Sequence, residues 1–162
     1  MGEELESILT QFRAAALNYI YVVDSAIHSS REDLLSKVSN ALAQLYSSGL
    51  RFPVIEPDTS EIDDIPFPRG EWGQLFNALK EKIGSLDTYW TVFDSTQGGV
   101  PVQGSLAGDI SEIYIDLKHD LQLEEKGHSR SDFLWQLRFS FRSHWGRHLT
   151  HALTAIYDRQ IE

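Results

Sequence analysis

The chain contains no cysteine and is poor in basic residues: its 162 residues include 14 Lys and Arg against 24 Asp and Glu. Without cysteine it can form no disulfide framework, thiolate zinc site or cysteine nucleophile, and a reducing compartment is expected. The formal net charge of -10 opposes binding to a phosphate backbone or to an anionic lipid surface, because both require clustered positive charge. We therefore expect neither a nucleic-acid partner nor a membrane partner.

Long hydrophobic runs are also missing. No segment approaches the 18 or more apolar residues of a membrane span, and the acidic start MGEELESILT lacks the positive and apolar regions of a secretory signal. These features predict a cytoplasmic protein. The length predicts a single domain over residues 1–162, and the 41% hydrophobic fraction is typical of a globular chain rather than a disordered one.

Apolar residues recur at three- and four-residue spacing, which predicts amphipathic helices. Alternation typical of a strand is limited to Arg51–Ile55. The residues from Asp87 to Asp94 are interpreted as one or two helical turns, and Gln97–Pro101 as a turn. The expected fold is all-α, an up-and-down bundle of about five helices. Their predicted positions are Glu3–Ile27, from Ser30 to Gly49, Gly70–Ile83, Ser105–Leu121 and Asp132–Arg159.

Prolines are concentrated between the second and third predicted helices, where four of the five fall within residues 50–70. Proline blocks a continuous helix through this stretch. Six acidic residues and one basic residue lie between Glu56 and Glu71. We expect an irregular Pro-rich, acidic strap over residues 50–70, held to the bundle by Phe52, Ile65 and Phe67.

Polar side chains border the buried faces of predicted helices four and five. At 100° per residue, carboxylates of helix four line the edge of its apolar stripe, and three histidines of helix five lie on or beside its core face. The first 128 residues carry a net charge of -12 and the last 34 carry +2, so these two helices should meet as complementary surfaces. The candidate polar cluster comprises Asp109, Glu112, Asp116, His144, Trp145, His148 and His151.

Three interpretations of this cluster are open. Buried polar groups are normally paired, which favours a structural hydrogen-bond network. A divalent metal site using Asp109, Asp116, His144 and His148 is less favoured, because helix five lacks the Glu-x-x-His spacing of bundle metal centres; no cofactor is expected. The third interpretation is an acid–base site without metal, since histidine titrates near neutral pH.

A second apolar stripe on helix five suggests contact with another protein or self-association. Trp135, Phe139 and Tyr157 lie opposite the histidine face, as in a helix that is central in a bundle or at a subunit interface. The favoured functional hypothesis is a non-catalytic interaction or accessory module. The alternative is a metal-dependent enzyme using the His/Asp cluster between helices four and five.

Two segments carry a family resemblance. Val102–Leu117 and the run from Phe141 to His148, with its His-Trp-Gly-x-His sequence, resemble an uncharacterised bacterial family known as an all-helical domain of unknown function. The residues Tyr89–Asp94 and Leu45-Tyr46 fit it as well. The resemblance implies a helical bundle and a bacterial cytoplasmic source, and implies no reaction. Its motifs include Asp109, Asp116, His144, Trp145, Gly146 and His148.

Overall fold

The computed structural model describes residues 2–59 and 66–160, with Gln160 described in its backbone only. Its elements are α1 (Gly2–Ala26), α2 (Arg31–Gly49), α3 (Arg69–Ile83), β1 (Thr88–Thr91), β2 (Val102–Ser105), α4 (Leu106–Glu125), α5 (Arg130–Ser140) and α6 (Gly146–Gln160). A 3-10 turn, Gly84–Leu86, follows α3, and a π turn, Phe141–Trp145, joins α5 to α6. The all-α helical bundle is confirmed.

The helices bury one continuous apolar core. Helix α1 packs against α2 and α4, α4 also packs against α3, α5 and α6, and α2 packs against α6. Serine side chains cap three helices: Ser30, Ser105 and Ser129 each accept a hydrogen bond from the amide three residues ahead. Such a cap typically stabilises a helix by about 1 kcal/mol. No helix within residues 2–59 and 66–160 is long and apolar enough to cross a membrane.

The strap between α2 and α3 is irregular wherever it is described, and Arg51–Ile55 forms no strand. Phe52 fixes its first part to the core, where its ring meets that of Phe12 edge-on at 5.3 Å. Phe67 is 47% exposed and contributes less to the attachment than expected. Ile65, the third predicted contact, lies outside the described residues.

The helical turns predicted for Asp87–Asp94 were wrong, because Thr88–Thr91 is a strand. It pairs antiparallel with β2, and Tyr89 lies opposite Gly104. The sequence Thr-Tyr-Trp-Thr is β-branched and aromatic throughout, a composition that favours a pleated strand. A side chain at Gly104 would overlap the Tyr89 ring, so the glycine is needed for this register. The turn predicted after Asp94 joins the two strands into a hairpin.

The long fifth helix predicted over Asp132–Arg159 is present as continuous helical structure from Arg130 to Gln160, and it contains a π turn at Phe141–Trp145 that the sequence analysis did not predict. The Gly146 amide donates to the carbonyl of Phe141, five residues back, and a Cβ at position 146 would overlap that carbonyl. The Phe141 ring packs against Trp145, with ring centroids 4.7 Å apart. It also lies so close to Gly49 that a Cβ there would approach within 2.8 Å. Two glycines thus make room for one aromatic ring at the π turn.

Candidate histidine–carboxylate groove

A groove of about 510 Å³ lies between the hairpin, α4 and α6. Helix α4 contributes Asp109 and Glu112 to its lining, and the π turn with α6 contributes His144, His148 and His151. Five of the seven residues of the predicted polar cluster therefore share one groove. Asp116 is not part of the lining, but it is hydrogen-bonded to His144, which is. Trp145 is fully buried in the aromatic core.

Asp109 accepts hydrogen bonds from two elements. His148 Nδ1 lies 2.8 Å from its Oδ1, and the hydroxyl of Tyr89 donates to its Oδ2. Asp109 is buried in the first turn of α4, where the helix dipole stabilises a negative charge. Burial, followed by the hydrogen bond to Asp109, raises the pKa of Tyr89, so the phenol remains a proton donor. The carboxylate joins the hairpin to α6.

Asp87 fixes the hairpin on α4. Its carboxylate accepts hydrogen bonds from the Ala107 amide at 2.7 Å and from the Ser105 hydroxyl at 3.0 Å. Its backbone carbonyl accepts from the Leu106 amide at 2.8 Å. A carboxylate among the free amides of a helix N-terminus satisfies donors that have no partner within the helix. Asp87 thereby sets the position from which Tyr89 reaches Asp109.

The second histidine–carboxylate pair lies about two helical turns further along α4. His144 Nδ1 is 2.5 Å from Asp116 Oδ2, and the rings of His144 and His148 meet edge-on with centroids 4.8 Å apart. The hydrogen bond to Asp116 raises the pKa of His144. Both imidazoles use Nδ1 for a carboxylate, and neither Nε2 has a partner among the described residues. Each Nε2 is therefore available to a molecule in the groove.

His151 behaves in the opposite way. Burial lowers its pKa, with the positive charge of Arg147 contributing in the same direction, so the imidazole stays neutral. Its ring meets that of Tyr89 edge-on at 6.5 Å. Within one groove, therefore, the pKa of His144 is raised and the pKa of His151 is lowered. Such divergent shifts are typical of paired acid and base groups.

Arg147 and Glu112 complete the charged lining. Arg147 donates to the carbonyl of Phe93, and its guanidinium lies over the Phe93 ring, 4.6 Å from the centroid. Glu112 makes no hydrogen bond or ion pair with any described residue, although its charge helps raise the pKa of His144. The groove thus presents a carboxylate whose hydrogen-bonding capacity is unused.

Asp120 is a third carboxylate on the same face of α4 as Asp109 and Asp116, but it has no histidine facing it. It is fully buried, and neither oxygen has a hydrogen-bond partner within the described chain. Nδ1 of His119 lies 3.8 Å from Oδ1 of Asp120, too far for a hydrogen bond. Burial raises the pKa of Asp120 to about 6, with the charge of Asp116 adding to the effect.

The structure gives little geometric support to a mixed carboxylate–imidazole metal site. Asp109 and Asp116 are hydrogen-bonded directly to His148 and His144. No three His, Asp or Glu side chains in the described ranges are arranged to hold a metal ion. Two free Nε2 atoms are one protein ligand short of a catalytic zinc site. The metal site therefore stays a prediction.

The proposed interface residues are separated by the π turn. Trp135 and Phe139 stack in parallel on α5 with centroids 5.3 Å apart, and Phe139 is 51% exposed. Tyr157 is 63% exposed on α6. A π turn holds an extra residue, which rotates the following helix by about 100° relative to a continuous α-helix. Tyr157 therefore lies off the Trp135–Phe139 stripe.

Sequence reasoning missed Tyr89, Asp87 and Arg147 as parts of the site. The strand composition around Tyr89 was a usable signal. Asp87 could be recognised only after the hairpin was known, because the helix that it caps begins 19 residues later. Arg147 binds a backbone carbonyl, that of Phe93, rather than an acid of α4.

The fold and groove define a helical-bundle protein in which a hairpin encloses histidine–carboxylate pairs against two helices. The chain belongs to the family described as Domain of unknown function (DUF5063), whose model matches residues 3–161. It is also similar in fold to the crystal structure of a Bacteroides fragilis protein, with 18% identity and a TM-score of 0.77. That match covers 94% of this chain and 92% of the other. No curated protein matches the sequence.

Proposed function

We propose that the groove binds a small molecule and that His144 and His148 act on it as general acid–base groups. The observation that carries this proposal is the use of Nδ1 by both rings for carboxylates of α4. A carboxylate at Nδ1 fixes the imidazole tautomer and strengthens Nε2 as a base. The absence of cysteine supports a cytoplasmic setting for this activity.

The groove contains groups with complementary acid–base roles beside the Nε2 atoms of His144 and His148. His144, with its raised pKa, supplies a proton donor, while the neutral His151 supplies an acceptor. The unpaired Glu112 can orient a donor group of the ligand. General acid–base catalysis needs such groups within hydrogen-bond reach of one reacting centre and with pKa values near the working pH.

The proposal can be tested with p-nitrophenyl acetate, an activated ester that reacts with an accessible, basic imidazole. The wild-type chain should hydrolyse it with saturation kinetics, and the rate should rise with pH as the histidines lose their protons. The variant His144→Gln/His148→Gln should lose this activity. His28→Gln is the matched control, because His28 is an exposed histidine just after α1 that does not line the groove. Equal rates in all three proteins would refute the proposal.

The stacked, partly exposed Trp135 and Phe139 support a second candidate function, self-association or an accessory interaction. Exposed aromatic residues are enriched at the centres of protein interfaces. Sedimentation equilibrium of the wild type and of Trp135→Ala/Phe139→Ser would test it. A concentration-dependent dimer that the variant loses would support the candidate, and a strict monomer would contradict self-association.

A further inference from the structure

A smaller cavity of about 300 Å³ adjoins the groove along β1. It shares Tyr89, Thr91 and His151 with the lining of the larger groove, so the two spaces meet at the edge-on Tyr89–His151 contact. Trp90 and Arg159 belong to the smaller cavity only. A ligand bound beside His148 can therefore extend past His151 into this second space.

Arg159 gives the smaller cavity its chemical character. One Nη donates to the Ala155 carbonyl at 2.9 Å and the other to the Thr88 carbonyl at 2.6 Å. Both acceptors are neutral, and no carboxylate of the described residues lies within ion-pair distance of Arg159. A guanidinium has five N–H donors, so three remain unused within the described part of the chain. The charge is held in place without an ion pair to any described residue, in a protein of net charge -10.

Most of the remaining polar lining is able to donate a hydrogen bond. Thr88, Thr91 and Thr154 carry hydroxyl groups, and the neutral His151 carries one ring N–H. Asp158 is the one acidic member of the lining and is exposed. A guanidinium surrounded by hydroxyl groups recognises the oxygens of a phosphate or a carboxylate.

We infer that the smaller cavity is an oxyanion subsite, in which Arg159 binds a phosphate or carboxylate group of the same ligand whose reacting part lies at His144 and His148. This inference rests on the proposed function of the groove. The ligand class is an anionic small molecule that is long enough to pass the Tyr89–His151 contact. The exposed Trp90 ring offers an apolar face beside the anion.

The test uses inorganic phosphate and acetate as probes of the full chain, followed by ¹H–¹⁵N NMR. Saturable shifts should appear at the β1 amides and at Arg159 Nε–H, and the probe that binds more tightly identifies the preferred oxyanion. Arg159→Gln should weaken binding by about tenfold or more, because a charged hydrogen bond is lost. Arg138→Gln, on α5, is the matched control and should bind as the wild type does.

Two further variants separate loss of folding from loss of binding. Asp158→Asn leaves Arg159 in place and removes the one acidic side chain of the cavity lining, which would repel an anion, so it should tighten phosphate binding. His144→Gln/His148→Gln should retain phosphate binding while losing ester hydrolysis. If ester hydrolysis is intact but neither anion gives a saturable shift, or if Asp158→Asn does not tighten binding, the subsite is refuted and the acid–base proposal stands.

Discussion

Replacing Asp120 by Asn should stabilise the protein at neutral pH. The pKa of Asp120 rises from 3.8 to about 6 in the folded chain, because the carboxyl group is fully buried. The folded state therefore holds this proton more tightly than the unfolded state does. As the pH rises from about 4 to about 6, the free energy of unfolding should fall, and the loss should be complete above pH 6.

The size of the expected stabilisation follows from the pKa shift of Asp120. Each pKa unit corresponds to about 1.4 kcal/mol, so a shift of about two units costs the wild type about 3 kcal/mol at pH 7. Asn occupies nearly the same volume and does not ionise. A buried neutral amide costs less than a buried charge. The variant should gain up to about 3 kcal/mol at pH 7, or roughly 6–12 °C in melting temperature, and gain almost nothing at pH 4.

Urea unfolding followed by circular dichroism at pH 4 and pH 7 would measure this difference. Glu81→Gln, an exposed acid-to-amide change on α3, is the control and should leave stability within about 0.5 kcal/mol at both pH values. An Asp120→Asn gain that is the same at pH 4 and pH 7, or no gain at pH 7, would show that Asp120 is not a buried carboxylate with a raised pKa.

Three further predictions concern the groove and the π turn. Tyr89→Phe removes a hydrogen bond to a buried carboxylate and should cost about 1.5–3 kcal/mol in urea unfolding, whereas Tyr21→Phe, at an exposed site, should cost almost nothing. Gly146→Ala should cost about 1–3 kcal/mol, because its Cβ overlaps a backbone carbonyl; an unchanged melting temperature would contradict this. The His144–Asp116 pair raises the pKa of His144, so its stabilisation should be full at pH 5 and lost as the pH rises through that pKa. Comparing Asp116→Asn with the wild type at pH 5 and pH 9 measures this loss, and an equal effect at both pH values would refute it.

The bundle and much of the groove could be predicted from the sequence because both depend on short-range helical geometry. Asp109 and Asp116 share a face of α4, and His148 and His151 share a face of α6, at spacings that a single helix fixes. Complementary charge then indicated that the two faces meet. Each of these inferences needed only the rotation of 100° per residue and the rule that buried polar groups pair.

The hairpin could not be predicted in the same way, because it depends on a pairing between residues that are distant in sequence. Tyr89 and Gly104 are neighbours only across the two strands, and the glycine matters because the tyrosine ring occupies its side-chain space. The three- and four-residue spacing of apolar residues in a helix carries no information about such a contact. The wall of the groove and the Tyr89 hydroxyl were therefore missed together.

The π turn explains why helical-wheel reasoning worked for the histidines and was misleading for the aromatic stripe. His144 and His148 are four residues apart, and their rings still meet edge-on across the end of the π turn, with centroids 4.8 Å apart. Trp135 and Tyr157 are separated by the whole turn, and the extra residue rotates one relative to the other by about 100°. The π turn requires a residue without a side chain at position 146, because a Cβ there would overlap the Phe141 carbonyl. The glycine in the His-Trp-Gly-x-His sequence is thus the local signal for the π turn, which shifts Tyr157 away from the stripe on α5.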